Sequence, residues 1–333
     1  MKPVRYLLLQ PCLGMGLAVL TCCASAQERD PAVAFPNRVV RIVVPSGPSG
    51  PPDIRSRLIG NRLAQQWRHP VIVDNRPGAG GQVALEQVLQ SPADGYTIGW
   101  SGQAALVVFP HLRKLPFDPL KDFAPITLVS KAPIVLVVNA SLPAANVAEL
   151  VSYAKNNPGK LNAPSPGNAT TEHLALEIFK RTARLNITHI PYKDSAGQLL
   201  PDLDSGQAHL MFETFLSVGP RVKNGRLRAL AVADERRLEA LPNVPTFSEA
   251  AFPQMASVVI WSGFVARTGT PRGIIDKLSR DINGVLQASD VRRAFVESGT
   301  YPAGDTPDQF GSFMKNEYVR WARLLDETGI KLE

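Results

Sequence analysis

Past its first 26 residues this sequence has no cysteine. Cys12, Cys22 and Cys23 all fall in an opening stretch that reads as a removable export signal. Lys2 and Arg5 give it a basic start, residues 6–21 are mostly apolar, and Ala24-Ser25-Ala26 is a small-residue cleavage motif. Cleavage there excludes a disulfide scaffold, a thiolate metal site and a cysteine nucleophile together. Gln10, Pro11 and Gly14 to Gly16 interrupt the apolar run, which disfavours a spanning helix. Lipid attachment at Cys22 or Cys23 ranks second, because Thr21 and Cys22 precede them where small residues are wanted. The chain also lacks a block of one charge. Losing Lys2 and Arg5 lowers the formal charge from +7 to +5, and the basic residues between 221 and 228 alternate with apolar ones, so nucleic acid is excluded as a partner. A modest positive balance suits a small anionic ligand. The expected location is the periplasm.

Catalytic signatures are missing as well. Gly47-Pro48-Ser49-Gly50-Pro51 approaches a nucleophile elbow but has Pro51 in place of its last glycine. His69, His111, His173, His189 and His209 show no metal-ligand spacing, and there is no HExxH. Gly78-Ala79-Gly80-Gly81 has Val83 where a dinucleotide loop needs glycine, and no phosphate-loop GK[ST] exists. The expectation is a protein that is not an enzyme and carries no cofactor or metal.

What is present is a repeated strand–loop–helix pattern. Residues 39–44 form a β-branched run that stops at Pro45, followed by a Gly/Pro/Ser loop and then Asp53, expected to cap a helix whose apolar face is Ile54, Leu58, Ile59, Leu63 and Trp67. Val71-Ile72-Val73, a Gly-rich loop and a helix around residues 83–89 repeat it, and residues 96–100 supply a third strand ending at Ser101-Gly102. This predicts a parallel α/β sheet. Two apolar runs, 126–129 and 134–138, flank Lys131-Ala132-Pro133 as an interdomain crossing, and 258–265 reads as the return. Between them a second α/β unit has its own small-residue loop, 164–171, and a strand ending at Glu213. After the crossings, helices are expected over 271–286, 291–298 and 307–325, the last burying Phe310, Met314, Trp321 and Leu325. The fold class is thus α/β, two lobes joined by two crossing strands and hinged over a cleft. Domain 1 spans residues 36–130 and 260–333, and domain 2 spans 131–259.

In open α/β sheets ligands sit beyond the carboxyl ends of the strands. Ser46, Ser49, Ser101, Ser165, Asn168, Thr170 and Thr171 are neutral donors on such loops, beside glycines that expose backbone N–H groups. Several such donors together can hold a carboxylate. Any one of them alone serves equally well as a cap or turn residue, and the first loop can also be a βα turn that binds nothing.

The chain resembles the Bug-type receptors, the extracytoplasmic solute-binding components of tripartite tricarboxylate transporters. The likeness rests on Val43-Val44-Pro45 with Asp53, on Val73-Asp74-Asn75-Arg76-Pro77-Gly78-Ala79-Gly80-Gly81, and on Asp94-Gly95-Tyr96-Thr97. Further along, Lys121-Asp122-Phe123-Ala124-Pro125, Gly167-Asn168 with Thr170, His189-Ile190-Pro191-Tyr192-Lys193 and Leu241-Pro242-Asn243-Val244-Pro245-Thr246 extend it over essentially the whole mature chain. The resemblance implies a Venus-flytrap fold of the type II periplasmic binding proteins, a small carboxylated solute, and membrane permease subunits as partners, with a monomer as the default state. A ligand sensor on the same fold is the alternative. Carried over by motif position, the ligand-binding residues are Pro45, Ser46, Gly47, Ser49, Gly50, Asp53, Ser101, Gly102, Ser165, Gly167, Asn168, Thr170, Thr171 and Glu213. The departures are Ser46 for an aromatic, Ser49 for a glycine, Pro51-Pro52 with two fewer N–H donors, Pro166 and Ala169 in the second loop, and Glu213 where aspartate is usual. They predict an altered ligand preference.

Overall fold

A single 17-residue strand, Phe123–Asn139, runs through both halves of the molecule. The computed structural model describes residues 35–168, 170–192, 199–255 and 258–329. The expected export signal, the three cysteines, Ala169 and Lys193 lie outside the described residues. In chain order the strands are β1 (Val40–Val44), β2 (Val71–Asn75), β3 (Thr97–Gly102), β4 (Phe123–Asn139), β5 (Leu161–Ser165), β6 (Ile187–Pro191), β7 (Leu210–Thr214), β8 (Leu227–Ala233), β9 (Val259–Arg267) and β10 (Tyr301–Pro302). The helices are α1 (Pro51–Trp67), α2 (Gln82–Leu89), α3 (Phe109–Leu112), α4 (Val147–Asn156), α5 (Thr171–Ala183), α6 (Leu199–Ser205), α7 (Phe215–Lys223), α8 (Arg272–Gln287), α9 (Ser289–Glu297) and α10 (Pro307–Thr328).

The sheet order is β10-β4-β9-β3-β1-β2, with β7 and β8 pairing the far end of β4. The expected parallel sheet is found only in part. β1 is parallel to β2 and β3, but β9 joins β3, and β4 joins β9, antiparallel. The reason is topological: β9 returns from the second lobe against the direction of β3, so no crossover helix is needed between them. The two apolar runs read as separate strands are one, because Lys131-Ala132-Pro133 continues the ladder opposite Trp261, Ile260 and Val259. From Ile134 onward the partners of β4 change to β7 and β8. The second lobe adds the parallel pair β5–β6. Its core includes the aromatic cluster of Phe179, Phe212 and Phe247, with ring centroids 5.7–6.0 Å apart.

Helix α1 corrects two expectations. It starts at Pro51, with Gly50 as its N-cap, so Asp53 sits within the first turn instead of capping it. Proline suits that start, since its missing N–H would have no helical partner there. The buried face is Ser56, Ile59, Gly60, Leu63 and Trp67, while Ile54 is 52% exposed. Gly60 lets the helix approach β2, since a Cβ there would lie 3.1 Å from Val71 Cγ1. Helix α10 begins with a capping box between Thr306 and Gln309 and buries Phe310, Met314, Trp321 and Leu325, as its periodicity predicts. Helix α7 had no counterpart among the sequence expectations because Pro220 stands inside it.

Candidate binding cleft

Two cavities flank the crossing strands, and strand alternation assigns their walls. Lys131 and Val259 face one of about 620 Å³; Ala132, Ile260 and Ser262 face the other of about 490 Å³. Trp261 borders both. The larger is rimmed by charged side chains, of which Arg320 pairs with Glu317 inside the lining and Arg237 with Glu249 beyond it. The smaller lies beyond the carboxyl ends of β1, β3 and β7 and is the candidate site. Its floor is apolar, with Trp100, Phe109, Ile260 and Trp261. Gly80 makes room for one of these rings: its φ is +62°, and a Cβ there would stand 2.2 Å from Phe109 Cε2.

Six of the residues expected from sequence line this cavity: Pro45, Ser101, Gly102, Thr170, Thr171 and Glu213. The others do not reach it. Asp53, only 3% exposed, turns back to hold its own loop. It accepts from the Ser49 N–H (3.0 Å), from Asn75 Nδ2 (2.9 Å) and from Arg57, whose Nη2 lies 2.8 Å away. The Arg57 hydrogen bond, helped by Asn75 and Ser49, holds the Asp53 carboxyl down near 2. Asn75 Nδ2 also donates to the Ser46 carbonyl (2.9 Å), and Ser49 is kept at φ +66°. Ser46, Gly47, Ser49 and Gly50 are therefore parts of a braced turn outside the cavity lining.

The second-lobe loop is braced in the same manner. Thr170 caps α5, accepting from the His173 N–H (3.3 Å) and donating to the Gly167 carbonyl (3.0 Å). Ser165 Oγ bonds the Gly167 carbonyl (3.0 Å) and His189 Nε2 (2.7 Å), and accepts from the Gly167 N–H (3.2 Å). Ser165, Gly167 and Asn168 stand outside the cavity lining. His173 and His189 stack with centroids 3.9 Å apart, and burial pushes both imidazoles down to about 4. No sequence spacing links these two histidines. Among the described residues, no group of three or more His, Asp or Glu side chains is arranged to hold a metal ion.

Two charged lining residues were missed by sequence reading, Arg55 and Glu172. Arg55 sits one turn into α1. Its Nη2 donates to Thr300 Oγ1 (2.5 Å), and it has no carboxylate partner among the described residues. Burial lowers the guanidinium to about 10. The regular spacing of α1 was the available signal, since Arg55 lies one turn before Ile59 and so sits on the border of the buried face. Opposite, Glu172 opens α5 and Glu213 ends β7. Glu213 is 8% exposed and accepts from the Thr214 N–H (2.7 Å) and Oγ1 (3.1 Å). Burial, then the like charge of Glu172, pushes Glu213 up to about 8, and burial raises Glu172 too. On β3, Ser101 is 2% exposed and its hydroxyl has no partner among the described residues. A buried hydroxyl left unpaired is costly, so its position in a cavity wall marks a place for an incoming polar atom.

A family profile described as tripartite tricarboxylate transporter family receptor matches residues 56–330. Protein BugT of Bordetella pertussis is 34% identical over 304 residues, covering 91% of this chain and 93% of its own. Among solved structures, Rpa4515 of R. palustris with adipate aligns with a TM-score of 0.82 at 32% identity, over 89% of this chain and 99% of that one. MatC (Rpa3494) from Rhodopseudomonas palustris, with bound malate, aligns with a TM-score of 0.77 at 28% identity, over 87% of this chain and 100% of that one.

Proposed function

The chain belongs to the tripartite tricarboxylate transporter receptor family, and on that premise we propose that it captures a small carboxylated solute in the 490 Å³ cavity and delivers it to the membrane subunits of a transporter. The observation that carries this reading is the pairing, in one cavity wall, of a guanidinium without a carboxylate partner, Arg55, and a buried hydroxyl without a hydrogen-bond partner, Ser101. A carboxylate placed there satisfies both, and hydrogen bonds to an ionised group are the strong ones. The volume falls within the range of small-molecule sites, and adipate and malate are the ligands bound in two neighbours. Residues 36–130 with 260–333 and residues 131–259 act as the two lobes, and a solute touching both favours the closed arrangement. The export signal supports an extracytoplasmic place of action, and the protein binds without turnover.

A thermal-shift screen of mature protein against mono-, di- and tricarboxylates tests the binding step. A ligand at a hundred times its dissociation constant adds about 2.7 kcal/mol. An Arg55→Gln variant should lose most of that shift while remaining folded by circular dichroism; an undiminished shift would contradict the assignment. Delivery is tested separately by solute uptake in cells that keep the permease but lack this receptor.

A further inference from the structure

The cavity has two poles of opposite sign. Its charged lining residues are Arg55 of α1 on one side and Glu172 of α5 and Glu213 of β7 on the other. A second carboxylate on the solute would meet two carboxyl groups, and among the described residues nothing in the lining of that side offers it a cation. Thr214 Oγ1 already serves Glu213, and it lies 3.4 Å from Ser217 Oγ. We propose that the solute carries an ammonium group as well as a carboxylate, with the ammonium held between Glu172 and Glu213 and the carboxylate at Arg55 and Ser101. This inference rests on the receptor reading above and narrows it to amino-carboxylates.

Three observations meet here independently of one another: the volume of the cleft, the Ser101 hydroxyl waiting for an acceptor or donor, and the separation of unlike charges onto elements of different lobes. The titration behaviour of the acid pair agrees with them. Two carboxyl groups sharing a buried site cannot both ionise cheaply, and a cation between them removes the conflict. Binding of an ammonium therefore expels the proton that Glu213 otherwise keeps, and affinity rises with pH up to about 8, where that proton leaves on its own. The imidazoles of His173 on α5 and His189 on β6 stay neutral over this window, and Arg55 stays charged.

The test is calorimetry on the mature protein with matched probes: 4-aminobutanoate, 5-aminopentanoate and 6-aminohexanoate, their counterparts glutarate, adipate and pimelate, and butanoate, pentanoate and hexanoate. At pH 8 the best amino-carboxylate should bind at least tenfold tighter than either of its partners, and its affinity should rise between pH 6 and pH 8. Glu213→Gln should remove that advantage. The probe comparison and the pH series on the native chain hold even if the variant fails to fold. A dicarboxylate binding as tightly as its amino counterpart at pH 8, and more weakly as pH rises, overturns this inference and leaves the carboxylate receptor standing. Failure of all three classes to bind overturns both.

Discussion

The loops that follow β1 and β5 are the same device with opposite outcomes. Each leaves a parallel strand, turns through small residues, and enters a helix whose first turn borders the cleft. In the first, Asp53 faces inward and is held by Ser49, Asn75 and Arg57, so the charge that lines the cavity is the cation two residues on, Arg55. In the second, Thr170 makes the internal bonds, and the acidic residue, Glu172, borders the cavity instead. A carboxylate in the first turn of a helix is favourable in both places. Its role differs with whether backbone and side-chain donors have claimed it.

Removing the brace should break the comparison most. Asp53→Ala should lower stability by about 2–3 kcal/mol at pH 7, since it strips a nearly buried charged acceptor from three donors. Because the folded carboxyl titrates near 2 against 3.8 when free, its contribution is present above about pH 4 and is lost as the pH falls toward 2, so the wild type and variant should converge in acid denaturation. Next in size, Gly80→Ala should cost about 1–3 kcal/mol in chemical denaturation, by overpacking against Phe109 and by the strain of a positive φ. The acid side reverses sign. Glu213 has a raised folded pKa, so its burden on the empty protein is absent at pH 4 and grows as the pH climbs through 8. Glu213→Gln should therefore raise Tm at pH 9, by about 1–2 kcal/mol in stability, and leave it unchanged at pH 4. Ser101→Ala should raise the stability of the empty protein slightly, by about 1 kcal/mol, because it removes the unpaired buried hydroxyl. The same change should weaken solute binding about tenfold in calorimetry, because it removes one hydrogen bond to an ionised group.

The sequence made the scaffold legible wherever one rule acted alone. The β-branched run of β1, the Gly-rich turn after β2 and the apolar spacing of α10 are local signals, and each led to the element observed. Expectations failed where two rules competed. Asp53 has the chemistry of an N-cap, yet Pro51 and Pro52 pre-set the helix three residues earlier and left it a bracing role. Helix α7 escaped the sequence reading: its Pro220 is unfavourable inside a helix, yet Phe215, Val218 and Gly219 bury one face. The β4 strand was divided because Lys131 and Pro133 look like a break, although a ladder with β9 on one side accommodates both. In the cleft, the small donors were visible as loop residues, but which of them face inward depends on hydrogen bonds between positions far apart, such as Asn75 with Ser46. Arg55 and Glu172 look like ordinary helix-surface charges until the opposite lobe is set against them.

The change of partners along β4 occurs within a single step, from Pro133 beside β9 to Ile134 beside β7 and β8. No slack tether joins the two halves at this point. Any swing of one against the other has to be absorbed as torsion in a hydrogen-bonded ribbon, at a residue whose φ is fixed by its ring. Such a joint behaves as a stiff spring with a short throw. In the binding scheme proposed above, a short throw holds the Arg55 side and the Glu172–Glu213 side near their working positions in the empty protein, so the solute has little orientational freedom to remove.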